Sequence, residues 1–323
     1  MEDLAFFFDG TNMGKEDRSN IWKLYCLLKY HRLCVDNEST VTSVNKFVKY
    51  YQGPGKNEKG IDIGGIVFGE GFIQNLKRAY RDITNAVTQD ELDLNKCRIS
   101  LFGFSRGAYT ARIFAHLLAD CGVPDDIDYC DGIVDKYLPN QNPVSRKNSI
   151  NVPKIQILGL FDTVRSTFKG ELPKDKKLPS IVEDCRHAMS LDESRIFFPI
   201  LKFDDASNNN RITCEWFSGV HIDVGGGTTR DGLSNITLNW MICAARAHGL
   251  NLPKTTNVAG CQTAELVSIQ DDPLCEITPN TDLPEKSPRV YEGEGINPSV
   301  RTRIASLKNA YTPRTINFPS NIV

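Results

Sequence analysis

Short apolar runs alternate with amphipathic segments along most of the chain, and this alternation predicts strands followed by helices. Residues 4–8 form an apolar run that stops at the polar residues 9–12, as a strand ending in a turn does. Residues 155–161 are apolar except for Gln156, which is typical of a strand buried on both faces. The predicted strands are 4–8, 46–52, 98–102, 155–161 and 212–220, and the predicted helices are 19–31, 72–83, 108–120, 181–189, 233–247 and 300–307.

Strands that alternate with helices favour an α/β fold with a mostly parallel central sheet and helices on both faces. A length of 323 residues is compatible with one domain, so a single domain is expected over residues 1–323. Residues 124–153 are rich in Pro, Asn and Asp and predict an irregular insertion. Residues 249–323 are polar and predict a loop-rich C-terminal extension. Reactive residues in such sheets lie at the carboxyl ends of strands, so a functional site is expected there.

Composition and charge exclude several classes of protein. Hydrophobic residues make up 40% and charged residues 24%, values typical of a globular chain rather than a disordered one. The formal net charge of −2 argues against a nucleic-acid partner. No apolar run reaches 18 residues, and the N-terminus carries acids where a signal peptide needs basic residues. We therefore expect a cytoplasmic chain, with export by a machinery that accepts folded proteins left open.

Metal and nucleotide sites are not indicated by the sequence. The ten cysteines include no pair at zinc-binding spacing, and we expect all of them to be reduced. The glycine-rich residues 224–229 lack the lysine of a phosphate-binding loop and do not match the dinucleotide-binding pattern. These patterns therefore predict neither a zinc site nor a nucleotide site.

A candidate nucleophile lies between a predicted strand and a predicted helix. Gly103, Ser105 and Gly107 form a Gly-x-Ser-x-Gly pattern there. In a nucleophile elbow the serine occupies a tight turn, and both glycines avoid collisions with neighbouring backbone. The positive end of the helix dipole and the N–H group that follows the serine, here that of Arg106, favour developing negative charge. The alternative is a glycine-rich turn with an incidental serine.

A serine nucleophile needs a base, and His221 is the candidate among five histidines. It follows a predicted strand and precedes a glycine-rich segment, where a base is expected, although it could also be an ordinary loop histidine. The other four are expected elsewhere: His31 at a polar helix end, His116 packed within a helix, His187 on the predicted helix 181–189, and His248 at a helix C-terminus.

The base needs a carboxylate to orient it, and two candidates remain open. Asp162 directly follows the apolar strand 155–161. Asp223 lies two residues after His221, so close in sequence that its carboxylate would have difficulty reaching the far ring nitrogen. We favour Asp162, which yields the chain order Ser105, Asp162, His221 of the α/β-hydrolases.

The oxyanion of an acyl-transfer reaction needs a second N–H donor beside that of Arg106. We expect it from Gly10 or Thr11, which follow the first predicted strand, with Asp9 bracing the loop. The alternative is a plain Asx-turn at these residues.

Several sequence blocks together resemble the α/β-hydrolase domain of the type VI secretion lipase effectors of family 1, which is also present in many bacterial and fungal proteins. The blocks are FFDGTN (7–12), GFSRGA (103–108) with 111–112, GLFDTV (159–164) with 166, HA (187–188), LDE (191–193) with 195, WF (216–217) with 219 and 221, DVGGG (223–227), LS (233–234), WM (240–241), and PSV (298–300) with 303, 311 and 313. The number of these blocks and their order support the resemblance, and together they extend over nearly the whole chain.

The resemblance implies a catalytic triad of Ser105, Asp162 and His221, ester hydrolysis, phospholipids as the substrate class of the secreted members, and no cofactor. Residues 13–15 and Asn297 depart from the usual pattern, and the chain has no room for the large membrane-facing module of the long effectors. We therefore predict a serine hydrolase acting on a lipid or phospholipid acyl ester, with transient contact to a membrane surface.

The alternatives are a short-chain carboxylesterase or thioesterase, and a catalytically silent binding module of the same fold. An inhibitory or delivery protein is a further expected partner, because the insertion and the divergent C-terminal extension could serve such regulation.

Overall fold

A seven-stranded sheet organises the residues that the computed structural model describes, which are 2–30, 47–55, 67–139, 142, 152–165, 176–252, 272–279, 287–307 and 311–319. The strand order is β2-β1-β3-β4-β5-β6-β7, and every described pair of neighbouring strands is parallel. The strands are β1 (Glu2–Phe8), β2 (Val48–Tyr51), β3 (Cys97–Phe104), β4 (Ile155–Phe161), β5 (Val182–Ser190), β6 (Ile212–Phe217) and β7 (Gly295–Ile296). The prediction of an α/β fold with a parallel sheet is confirmed.

Helices cover both faces of this sheet. They are α1 (Asn20–Tyr30), α2 (Val67–Thr88), α3 (Arg106–Cys121), α4 (Cys130–Tyr137), α5 (His221–Gly225), α6 (Gly232–Ala247) and α7 (Pro298–Leu307). Side chains alternate along β1, so that Phe6 and Phe8 pack in the core beneath α2 and α3, and Phe7 packs in the core beneath α1 and α6. Two apolar cores on opposite faces make the sheet a buried central layer.

The strand register brings the candidate site residues to one edge of the sheet. The last residue of β1, Phe8, is paired with Gly103, and the last residue of β3, Phe104, is paired with Phe161 at the end of β4. Because parallel strands all end on the same side, the residues that follow them lie near one another.

The predicted helix 181–189 is wrong, because residues 182–190 form strand β5. This strand is hydrogen-bonded to β4 on one side and to β6 on the other. Its buried polar residues, Asp184 and His187, interrupt the continuous apolar run that marks a central strand, so the local pattern was misleading. The long-range pairing on both edges overrides the local preference.

The expected irregular insertion, 124–153, contains more regular structure than its composition indicated. A 3-10 turn, Ile127–Tyr129, leads into α4, which buries Ile133, Val134 and Tyr137 against the core. These residues have helical spacing, but the surrounding Pro and Asp residues conceal it. Residues 140–141 and 143–151 lie outside the described residues.

The C-terminal extension contributes strand β7 to the sheet edge and contains helix α7. Eight cysteines belong to the described residues and all eight are free thiols, whereas Cys34 and Cys261 lie outside them. Within the same residues, no helix has the length and apolar character needed to cross a bilayer.

Candidate active site

Ser105 occupies a strained turn between β3 and α3. Its backbone has φ 57° and ψ −124°, a conformation that costs on the order of 1–3 kcal/mol and is maintained only by the surrounding structure. A Cβ atom at Gly103 would lie 2.4 Å from the Cα atom of Ala108, and one at Gly107 would lie 2.2 Å from the carbonyl oxygen of Phe8. Both positions therefore require glycine, as the sequence pattern predicted.

The turn is fixed to the neighbouring strand ends. The N–H of Ser105 donates to the carbonyl oxygen of Phe161 at 3.0 Å, and the N–H of Val164 donates to the carbonyl oxygen of Ser105 at 3.3 Å. A Cβ atom at Gly10 would lie only 3.3 Å from the Cβ atom of Ser105. The loops that follow β1 and β4 thus flank the serine on both sides.

His221 begins helix α5, and its ring contacts Asp162. The Nδ1 atom of His221 lies 2.6 Å from Oδ2 of Asp162. The backbone N–H of His221 donates to Oε2 of Glu193 at 3.2 Å, which holds the start of α5. The ring contacts the rings of Phe104 and Phe198, with centroid distances of 4.7 Å and 5.0 Å.

Asp162 accepts hydrogen bonds from Ser190 and Arg289 as well as from His221. The backbone N–H of Ser190 donates to its Oδ1 at 2.8 Å, and the Ser190 hydroxyl donates to its Oδ2 at 3.2 Å. Arg289 donates from Nη1 to Oδ1 at 2.5 Å and from Nη2 to Oδ2 at 2.8 Å. Burial raises the pKa of Asp162, but the Arg289 charge and the His221 contact outweigh burial and hold that pKa well below its usual range. This carboxylate is therefore ionised at neutral pH.

The electrostatics of His221 suit a base. Burial lowers the pKa of the His221 imidazole, the Asp162 hydrogen bond and charge offset part of that decrease, and the Arg289 charge adds to it. The ring is thus neutral at neutral pH, and with Nδ1–H donated to Asp162 its Nε2 is an acceptor.

No hydrogen bond joins the Ser105 hydroxyl to the His221 ring within the described residues. The two are linked through Phe104, which directly precedes Ser105 and packs against the imidazole. Hydrogen bonds between a nucleophile and its base are often long or poorly aligned until substrate binds.

The second candidate carboxylate, Asp223, has other partners. Its Oδ2 accepts from the N–H groups of Val220 at 2.9 Å and Thr278 at 3.1 Å, and its Oδ1 accepts from the Thr278 hydroxyl at 2.5 Å. These contacts cap helix α5 and attach residues 272–279 to it. The structure therefore joins Asp162, and not Asp223, to the imidazole.

The loop after β1 lies against the serine turn. Asp9 accepts from the Gly10 N–H at 2.8 Å and from the hydroxyls of Ser19 and Tyr50 at 2.6 Å each. Burial raises the pKa of Asp9 to about 6, although these hydrogen bonds lower it. The guanidinium of Arg106 donates to the Thr11 hydroxyl at 2.9 Å. Asp9 thus braces the loop, and it also occupies the N–H of Gly10.

The other histidines lie elsewhere. His187 is on β5 rather than on a helix, and its Nε2 accepts from the N–H of Thr163 at 3.1 Å. Burial lowers the pKa of His187 to about 3. His116 is buried in α3, His248 contacts Asp184 at 3.1 Å, and His31 lies outside the described residues.

Three residues at the site were not assigned a role from the sequence: Arg289, Glu193 and Phe198. Glu193 falls in one of the recognised sequence blocks, so a signal for it existed. Arg289 lies in the polar extension, 127 positions from Asp162, and no local pattern distinguishes it from a surface arginine. In the described part of the chain, no group of acidic, histidine or cysteine side chains could hold a metal ion.

Residues 3–244 match the family described as type VI secretion system phospholipase effector Tle1-like, catalytic domain. The chain belongs to this family. The recognition made from the sequence blocks is confirmed.

Among individual proteins, the chain is 29% identical over 243 residues to the uncharacterized protein YEL023C of Saccharomyces cerevisiae, with 62% of this chain and 33% of the yeast protein aligned. The chain therefore spans about a third of that relative. A crystal structure of an uncharacterized Pseudomonas aeruginosa protein aligns with a TM-score of 0.48 and 18% identity, covering 84% of this chain and 49% of the other. The Tle1 effector bound to the VgrG spike aligns with a TM-score of 0.43 and 20% identity, covering 71% and 52%.

Proposed function

We propose that this protein is a serine hydrolase that cleaves carboxylic ester bonds of lipids, with Ser105, His221 and Asp162 as its catalytic residues. The observation that carries the proposal is the 2.6 Å contact between Asp162 and the Nδ1 atom of His221, at the sheet edge where Ser105 occupies its strained turn. A buried, ionised carboxylate at Nδ1 fixes the imidazole tautomer whose Nε2 can accept a proton, and it stabilises the imidazolium that then forms.

The reaction follows from the proton positions. His221 Nε2 takes the hydroxyl proton of Ser105 as the serine oxygen attacks the ester carbonyl. The tetrahedral intermediate collapses, and His221 returns that proton to the departing alkoxide. Water then attacks the acyl-enzyme with the same base, which releases the acid and restores the serine. Asp162 remains ionised throughout and stabilises the imidazolium.

The backbone N–H of Arg106, at the N-terminus of α3, is the first proposed oxyanion donor. The second comes from the loop after β1. Since the N–H of Gly10 is donated to Asp9, the N–H of Thr11 is the better candidate of the two.

An apolar edge beside the imidazole supports a lipid substrate. Ile196 and Phe197 are 40% and 67% exposed, and they directly precede Phe198, whose ring contacts His221. Exposed apolar side chains next to a site indicate an apolar ligand or a lipid surface. Transient contact with a membrane surface is part of this proposal, whereas the expected inhibitory or delivery partner stays a prediction.

Active-site labelling together with a lipid panel tests the proposal. A fluorophosphonate should label the wild-type protein and the exposed-serine control Ser207→Ala, but not Ser105→Ala. Ser105→Ala should lose several orders of magnitude in turnover of phospholipid and glyceride esters. Wild-type turnover by Ser105→Ala would refute the mechanism. A preference for short acyl chains would indicate a carboxylesterase instead, and absence of both labelling and turnover would indicate a binding module.

A further inference from the structure

We propose that Arg289 is a positioning residue that holds Asp162 in place and sets the basicity of His221. The inference rests on the proposed function and extends it, because Arg289 lies outside residues 3–244, the range matched to the catalytic-domain family. The C-terminal extension would then complete the catalytic site rather than merely surround it.

The contact between Arg289 and Asp162 is bidentate and buried. Nη1 and Nη2 each donate to a different oxygen of the carboxylate, and the Arg289 side chain is 3% exposed. A planar guanidinium in this arrangement fixes both the position and the rotation of a carboxylate. The Oδ2 atom that accepts from Nη2 of Arg289 is the atom that contacts His221.

Arg289 is itself held by neighbouring backbone. Its Nη1 donates to the carbonyl oxygen of Ser190 at 2.9 Å, and its Nη2 donates to that of Phe198 at 3.0 Å. The N–H of Ile316 donates to the carbonyl oxygen of Arg289 at 2.7 Å, so residues 311–319 support this segment. The hydrogen bonds of Arg289 therefore connect the ends of β4 and β5 to the C-terminal extension.

The charges around His221 predict what Arg289 does electrostatically. Asp162 faces the ring from the end of β4, and Glu193 faces the start of α5 from the loop after β5, where it is paired with Arg195. Arg289 faces the ring from the extension. Without Arg289, the negative charges of Asp162 and Glu193 would be neutralised by Arg195 alone. The protonated form of His221 would then be more stable.

Two further titratable groups, Asp223 and His187, do not change this balance. Asp223, on α5 itself, is engaged by Val220 and Thr278, and its contacts do not involve Arg289. His187, on β5, is neutral because burial lowers its pKa to about 3. Loss of Arg289 should therefore move the acidic limb of the activity profile upward.

Two substitutions separate charge from geometry. Arg289→Gln removes the positive charge, and it should raise the acidic limb of kcat/KM by about one pH unit while lowering the plateau. Arg289→Lys keeps the charge but not the bidentate contact, and it should leave the limb near its wild-type pH with a plateau on the order of tenfold lower. Arg301→Gln, on the exposed surface of α7, is the matched control and should match wild type in both respects.

A second readout does not depend on turnover. The ¹³C-labelled histidine signal of His221, assigned with His221→Gln, should titrate at higher pH in Arg289→Gln than in wild type. If Arg289→Gln folds and leaves both the acidic limb of kcat/KM and the titration of His221 unchanged, the inference is overturned. If Arg289→Gln does not fold, the inference is overturned when Arg289→Lys has the same kcat/KM as the wild-type protein. If Ser105 is not labelled and no ester is cleaved, the hydrolase proposal fails, while the NMR titration still decides the role of Arg289.

Discussion

Replacement of Asp162 with asparagine would change one atom of a carboxylate that has five hydrogen-bond donors around it. Three of those donors, from His221, Arg289 and the Ser190 hydroxyl, point at Oδ2, and two, from Arg289 and the Ser190 N–H, point at Oδ1. An amide nitrogen at either position would face donors of Arg289. If it stands at Oδ2, it would favour the imidazole tautomer that has its proton on Nε2, which is unable to accept from a serine.

The expected loss follows from these contacts. The wrong tautomer should lower kcat by about 10³- to 10⁴-fold, or roughly 4–5.5 kcal/mol of transition-state stabilisation. The Arg289 charge would also lose its buried partner, which should lower the free energy of unfolding by about 3–5 kcal/mol. Initial rates on a soluble ester, measured well below the melting temperature of each variant, separate the catalytic loss from the stability loss.

Asp223→Asn is the matched control, because Asp223 lies two residues from His221 but caps α5. The amide oxygen of an asparagine side chain can still accept from the N–H groups of Val220 and Thr278, so this variant should lose about 1 kcal/mol of stability or less and keep its kcat within a few-fold. Wild-type turnover by Asp162→Asn together with an inactive Asp223→Asn would refute the assignment of the orienting carboxylate.

Three further predictions concern the elbow, the apolar edge and a buried histidine. Gly107→Ala should abolish turnover or folding because its Cβ would lie 2.2 Å from the Phe8 carbonyl oxygen. Gly132→Ala, whose Cβ would meet no atom within 4 Å apart from its own helix backbone and chain neighbours, should be tolerated in thermal melts and rate assays. Phe197→Ser should slow hydrolysis of phospholipid vesicles several-fold and leave hydrolysis of a soluble short ester unchanged; equal effects on both would contradict a lipid-facing role. Since burial lowers the pKa of His187 from 6.5 to about 3, the unfolded chain binds more protons in that range and stability should fall as pH falls from 6.5 to about 3. His187→Gln should remove about 1.4 kcal/mol per pH unit of that dependence in chemical denaturation, and an unchanged slope would contradict it.

The local features of the site were predictable because they depend on residues adjacent in sequence. The elbow required two glycines around Ser105 between a strand and a helix, and all of these lie within a few positions of one another. The turn after β1 was likewise predicted from consecutive residues. Parallel strands end at a common edge, so the residues that follow the strands could be predicted to lie near one another.

Features that depend on lateral pairing were not predictable in the same way. Strand β5 looked helical because its buried Asp184 and His187 suit a helix surface as well as they suit this sheet. Only its hydrogen bonds to β4 and β6 reveal a central strand.

The chain itself thus determined an α/β fold, a serine in a strained turn and a short set of histidine and carboxylate partners. Tertiary structure decided that Asp162 contacts the imidazole and that Asp223 caps a helix. It also decided that Arg289, 127 positions from Asp162, is hydrogen-bonded to the Asp162 carboxylate. The physical reason is range: glycine spacing and apolar runs report the geometry of nearby backbone. The partner of a buried charge depends on strand order and on where a distant loop returns to the sheet edge.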